Sequence, residues 1–208
     1  MWTRENLQQL IKEKLSDYQF IVVSNRQPYV HVFKKGKIEC QRGAGGVITA
    51  LDPVMQACDG IWIAYGNGDA DRKVTDSQDR IKVPPGNPKY TLKRVWLTKE
   101  EENGYYYGYS NEALWPLCHA VFQRPTFKKE NWEYYVKVNQ KFAKAVFEEI
   151  SSRRAFVFIQ DYHLTLLPKF LKEMAGSDVI IAHFWHIPWP NYEAFRVCPQ
   201  RHQILEGL

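Results

Sequence analysis

The sequence predicts an α/β protein built on a doubly wound parallel sheet, a Rossmann-like architecture. Three observations carry this reading. Short runs rich in β-branched residues, such as Phe20-Ile21-Val22-Val23 and Ala155-Phe156-Val157-Phe158-Ile159, lack polar alternation, as strands buried on both faces do. These runs alternate with segments of helical periodicity. The polar clusters Ser24-Asn25-Arg26, Asp161-Tyr162-His163 and His183-Phe184-Trp185-His186 each fall at the carboxyl end of a strand, where such sheets bind ligands.

Taken in order, Leu7, Leu10, Ile11 and Leu15 predict a short amphipathic helix over 4–16. The first strand follows at 18–24. Residues 28–42 read as a hairpin-like insertion turning at Gly36. A helix over 46–58 leads to a second strand at 61–65. The Gly-, Asp-, Asn- and Pro-rich stretch 66–90 reads as a loop, with an edge strand near 81–83, and 92–97 as a third strand. Ser110 and Asn111 are placed to cap a helix through Ala113-Leu114-Trp115. The clearest helix is 131–150, with Tyr135, Val138, Phe142, Ala145 or Val146, and Ile150 on one stripe. Strand 155–159, helix 165–175, strand 179–184 and two short helical segments complete the chain.

At 208 residues the chain fits one domain, long enough to bury roughly 70% of its unfolded surface. A net charge of +5 with interspersed acids does not argue for nucleic acid. The clusters Lys34-Lys35 with Lys37, and Arg153-Arg154, read as solvated. So do the acids Glu100-Glu101-Glu102 and Glu148-Glu149. Cys40, Cys58, Cys118 and Cys198 have neither paired nor metal-ligand spacing, so neither zinc nor a disulfide framework is expected, which fits a reducing cytoplasm; no cofactor is expected either. No apolar run approaches the ~20 residues of a membrane span, and the amino terminus lacks the apolar core of a signal peptide. The protein is expected to be cytoplasmic; a homo-oligomer is compatible with the sequence.

Gly43-Ala44-Gly45-Gly46 opens the helix at 46. Glycines there let a ligand approach the backbone, and the free amides of a first helical turn favour an anion such as phosphate. A plain turn is the alternative, since the spacing is not that of the dinucleotide fingerprint. Arg26 adds a forked cation to the same crevice. Asp161 can accept two sugar hydroxyls, or cap the helix near 165, or pair with Arg26. His186, held before Ile187-Pro188, can bind a hydroxyl or act as acid or base. Tyr162 and His163 read as structural, and His183 as core. Aromatic rings of 104–116 either stack on sugar or fill the core. No nucleophile arrangement is present.

Ser24-Asn25-Arg26, Gly43-Ala44-Gly45-Gly46, Tyr106-Tyr107-Gly108-Tyr109-Ser110-Asn111 with Leu114-Trp115-Pro116, Asp161-Tyr162-His163-Leu164 and His186-Ile187-Pro188-Trp189-Pro190 occur in one order. In order and spacing they resemble the amino-terminal half of the trehalose-6-phosphate synthase family, retaining glycosyltransferases of GT-B fold. The resemblance runs from about residue 18 to the end. It implies two Rossmann-like domains with the active site between them, and metal-independent transfer of glucose from a nucleotide-glucose donor, UDP-glucose, to glucose 6-phosphate. It assigns Arg26 and Tyr106 to the acceptor's phosphate, Trp115 to the acceptor pocket and Asp161 to acceptor hydroxyls. Gly45 and Gly46 go to the donor phosphates and His186 to the donor glucose, with Asp161 and His186 nearest the chemistry. Trp189 stands where the family usually has Phe. The family continues beyond the position of Leu208 into a second domain, so residues 1–208 are expected to form the acceptor-side domain alone. Two rival readings are a sister transferase using another phosphorylated acceptor, such as glycerol 3-phosphate, and a non-catalytic sugar-phosphate-binding module.

Overall fold

The computed structural model of the chain describes residues 3–150, 154–176 and 178–208. Helix α1 (Arg4–Leu15) starts at a capping box in which Thr3 and Asn6 satisfy each other's backbone amides. It is followed by β1 (Tyr18–Ser24), the hairpin β2 (Tyr29–Lys34) and β3 (Lys37–Arg42), α2 (Gly46–Cys58) and β4 (Ile61–Tyr65). Next come α3 (Asp71–Val74), β5 (Arg80–Val83) and β6 (Tyr90–Val95). A continuous helical stretch then runs through α4 (Lys99–Glu102), a π-helical segment (Asn103–Leu114) and α5 (Trp115–His119). Helix α6 (Lys129–Glu149), β7 (Arg154–Gln160), a 3₁₀ turn (Tyr162–Leu164), α7 (Leu167–Ala175), β8 (Val179–Phe184), α8 (Tyr192–Phe195) and α9 (Arg201–Gly207) complete it.

Six strands form one sheet in the order β5-β6-β4-β1-β7-β8, all parallel except the β5 edge, while β2 and β3 pair apart from it. The chain runs outward from β1 through β4 to β6, then returns to the other side of β1 with β7 and β8. Strand order therefore reverses between β1 and β7, which opens a crevice at their carboxyl ends. Successive residues of β1 feed opposite faces. Ile21 and Val23 pack with Val138, Phe142 and Val146 of α6, whereas Val22 packs with Ile48 and Met55 of α2. Both faces are thus covered, and Ile21, Val22 and Val23 are fully buried. The apolar stripe predicted for α6 is the face it buries.

The hairpin turns at Lys35 and Gly36, both at positive φ (49° and 75°), the conformation that suits a two-residue connection. Four readings needed correction. The stretch 66–90 holds the short helix α3 besides its edge strand, and β6 lies two residues earlier than expected. Ser110 and Asn111 do not cap a helix. They lie inside the π-helical segment, with Ser110 fully buried. The cap is Thr98, which accepts from the Glu101 amide at 3.2 Å while Glu101 Oε2 accepts from Thr98 N at 2.9 Å. Glu101 and Glu149 are not solvated either: both are buried, Glu101 paired with Lys137 and Lys141 and Glu149 with Lys93 and Arg80. Lys34, Lys35 and Lys37 are exposed at the hairpin turn, whereas Arg153 lies outside the described residues.

Candidate active site at the strand carboxyl ends

A cavity of about 260 Å³ occupies the crevice between the carboxyl ends of β1 and β7. Arg26, Gly45, Gly46, Tyr106, Trp115, Asp161 and His186 all line it, so one site gathers every residue that the sequence singled out for ligand binding. The topology explains the convergence. Arg26 lies two residues beyond β1, Asp161 directly follows β7, His186 lies two residues beyond β8, and the glycines open α2.

Arg26 is exposed and has no ion pair among the described residues, which excludes the structural pairing with Asp161. It stands beside the start of α2: a β-carbon on Gly45 would lie 3.6 Å from Arg26 Nη1. Gly45 adopts φ 131°, a conformation that L-residues rarely take, and no side chain caps the helix. Free amides of the first turn and a guanidinium are therefore offered on the same side, an arrangement suited to anions.

Asp161 adopts φ 72°. Its Oδ1 accepts from the Tyr162 amide at 2.9 Å and the His186 amide at 3.3 Å, leaving Oδ2 without a protein hydrogen bond among the described residues. One oxygen thus caps the turn and the other is available to a ligand. Burial raises the carboxyl pKa, opposed by those two amides. His186 is exposed, its ring tilted against Phe184 with centroids 5.6 Å apart. Tyr106 lies nearly parallel to His163 (5.6 Å, 14°), and the exposed Trp115 stacks on His119 at 4.2 Å.

His163 was expected to be structural, yet it too lines the cavity. Burial and the nearby Arg26 push its pKa down to about 3, so its ring is neutral. Nothing in the sequence distinguished it from Tyr162, which is mainly structural: its carbonyl accepts from Tyr135 Oη at 2.6 Å and its hydroxyl donates to Asn111 at 3.1 Å. Asn25 and Gln160 also line the cavity, and only their adjacency to strand ends would have indicated them. His183 is part-buried, its Nε2 3.1 Å from the Asp161 carbonyl, and burial lowers its pKa to about 4. No cluster that could hold a metal ion exists among the described residues. No helix among them is long and apolar enough to cross a membrane.

Fold and site together define a doubly wound α/β domain whose topological switch point holds a crevice lined by the exposed Arg26, the glycines that open α2 and the carboxylate of Asp161. The sequence model of glycosyltransferase family 20 matches residues 18–208, and the chain belongs to that family. It is 40% identical over 190 residues to a trehalose-6-phosphate synthase of Mycolicibacterium gilvum, covering 91% of this chain and 37% of that protein. Against the trehalose-6-phosphate synthase of Mycobacterium tuberculosis it is 36% identical over 205 residues, covering 94% of this chain and 39% of that one. Among solved structures, an E. coli protein bound with UDP-2-fluoro glucose superposes with a TM-score of 0.71 at 27% identity, over 91% of this chain and 38% of the other. A UDP-forming α,α-trehalose-phosphate synthase from Burkholderia xenovorans gives 0.68 at 26%, over 91% and 37%. The chain spans about two fifths of the length of the relatives it matches.

Proposed function

We propose that this chain is the acceptor-side domain of a retaining glycosyltransferase that moves glucose from UDP-glucose to glucose 6-phosphate, giving trehalose 6-phosphate and UDP. The observation that carries this reading is the convergence of Arg26, from the β1 end, and Asp161, from the β7 end, on one cavity at the switch point. Likeness to trehalose-6-phosphate synthases supports the substrate pair, and the UDP-2-fluoro glucose held by the E. coli neighbour supports the donor.

In this reading Arg26 and the Tyr106 hydroxyl hold the acceptor's phosphate, since a forked guanidinium offers parallel donors to its oxygens. Trp115 walls the sugar. Asp161 takes acceptor hydroxyls through Oδ2 while Oδ1 stays on the backbone. Gly45 and Gly46 admit the donor phosphates to the amides of α2, and His186 contacts the donor glucose. The bond between the glucosyl anomeric carbon and the diphosphate oxygen breaks, and a bond forms from the acceptor's anomeric hydroxyl on the same face. The departing diphosphate oxygen takes the hydroxyl proton. No protein nucleophile is needed, in keeping with a crevice that offers hydroxyl and phosphate partners. Four free cysteines are consistent with a cytoplasmic setting.

The test is ligand discrimination. The purified chain is titrated with glucose 6-phosphate and with glucose, in the native form and as Arg26→Ala. The expected result is a preference for the phosphorylated sugar that vanishes in the variant. Equal binding of both sugars by the native chain would overturn the acceptor assignment.

A further inference from the structure

We propose that Asn25 is a further substrate-binding residue of this site, its side-chain oxygen accepting a hydrogen bond from a hydroxyl of the acceptor sugar; this rests on the acceptor reading above. Asn25 lies between the end of β1 and Arg26 and is 8% exposed. Its Oδ1 is buried and has no hydrogen-bond partner. Buried polar atoms without a partner are few in folded proteins, and each calls for an explanation. Among the described residues the others are Gln19 Oε1, Tyr105 Oη, Ser110 Oγ and His183 Nδ1. Asn25 alone of these five residues lines the crevice between β1 and β7.

Local structure gives the Asn25 carboxamide no task. Ser24 Oγ donates to the Arg26 carbonyl at 2.6 Å and accepts from Trp62 Nε1 at 2.8 Å. The Asn25 carbonyl accepts from the Tyr65 amide at 3.3 Å. The turn is therefore pinned on both sides without the side chain. A second cavity, of about 320 Å³, adjoins the first, and Asn25, Arg26 and Tyr106 line both. Asn25 thus sits at the junction of the two cavities, beside the two residues assigned to the acceptor's phosphate in the proposed reading.

Chemistry then divides the labour. A phosphate dianion offers only acceptors, so an unpaired amide oxygen has nothing to take from it. A sugar hydroxyl supplies the missing donor. Arg26 reads the phosphate and Asn25 reads the sugar.

The experiment compares native chain, Asn25→Ala and the similarly sized Asn25→Leu, measuring affinity for glucose and glucose 6-phosphate by ligand-observed NMR, and Tm without ligand. Both variants are expected to weaken the two sugars by the same factor, roughly two- to tenfold, as for one ordinary hydrogen bond. Their Tm should hold or rise, because an unsatisfied buried oxygen has been removed. Unchanged affinity in both variants overturns the inference. So does a loss confined to glucose 6-phosphate, or a binding loss accompanied by a fall in Tm in both variants, which would make Asn25 a structural residue. If the native chain binds neither sugar, the acceptor reading falls first and this inference with it.

Discussion

Asp161 ties the end of β7 to the end of β8: one carboxylate oxygen takes the Tyr162 amide at 2.9 Å and the His186 amide at 3.3 Å. The residue does so at φ 72° and ψ 173°, a strained backbone region occupied almost only by glycine, so the surrounding bonds must hold it there. Asp161→Asn keeps an oxygen for those amides and should fold with nearly native stability. Asp161→Ala loses both bonds while retaining the backbone strain, and is expected to cost about 1–3 kcal/mol. Urea unfolding of the two variants checks this. Equal stability would mean that the carboxylate does not hold the strand ends.

Arg26 faces the opposite demand. It is exposed and unpaired among the described residues, so its removal should barely change stability. In the proposed reading it holds the acceptor's phosphate, and Arg26→Ala is then expected to weaken glucose 6-phosphate by roughly 1.5–3 kcal/mol, the range for hydrogen bonds to charged groups. Glucose should bind both forms alike. Calorimetry with the two sugars decides, and equal losses for both would assign Arg26 to structure.

Two histidines make the fold acid-sensitive. Burial lowers His163 to about 3 and His183 to about 4, from an ordinary value of 6.5. A depressed folded-state pKa means that the unfolded chain binds protons first, so this stability is fully present above pH 6.5 and is lost as pH falls towards 4. Thermal melts across that range should show Tm falling with pH. In His163→Phe, which keeps a flat ring against Tyr106, the fall should be shallower. An identical slope in the variant would show that His163 does not drive it.

The base of the hairpin hangs on a buried network. Arg94 and Asp71 are fully buried and paired at 2.9 Å, and Arg94 also reaches Gln27 Oε1 at 2.9 Å and the Tyr29 carbonyl at 3.2 Å. Asp71 takes the His31 amide at 2.7 Å and Gln27 Nε2 at 2.6 Å. Removing one partner strands the other charge away from water, which typically costs about 3–5 kcal/mol. Arg94→Met should therefore be strongly destabilised. A stability within 1 kcal/mol of native, a roughly fivefold change in folding equilibrium, would show that water or repacking relieves Asp71.

That network also marks where the sequence stopped being legible. The strands of the central sheet were readable because apolar β-branched runs buried on both faces have no other plausible fate, and the convergence of the candidate residues was readable because topology places the strand ends together. Arg94, Lys93, Glu101 and Glu149 were not. A charged side chain reads as solvent-facing until its partner is known, and the Lys93–Glu149 pair spans sheet and helix far apart in sequence. Likewise, Gly104 and Gly108 gave no hint of the wide helical turns around them. Their role is contact: a β-carbon at either would collide with Tyr134 or Asn131 of α6. Asn25 and His163 escaped for a related reason, since a residue next to a motif looks like packing until a missing partner or a stacked ring is seen.

The charge inventory of the crevice yields the last prediction. Arg26 is the one lysine or arginine among the residues lining it, and Asp161 the one carboxylate. If Arg26 is committed to the acceptor's phosphate, only the amides at the start of α2 remain for the donor diphosphate, in a site open to water where screening weakens them. Preorganised charge around a leaving group is usually the largest single contribution to such catalysis, and positioning of donor against acceptor can contribute ~7–11 kcal/mol more. The 208-residue chain spans only 37% and 39% of the two trehalose-6-phosphate synthases cited. We therefore expect it to fold and bind sugar phosphate weakly while transferring no glucose at a measurable rate. Incubation with UDP-glucose and glucose 6-phosphate, assayed for released UDP, is the measurement. Turnover within tenfold of a full-length relative would show that this half alone neutralises the leaving group.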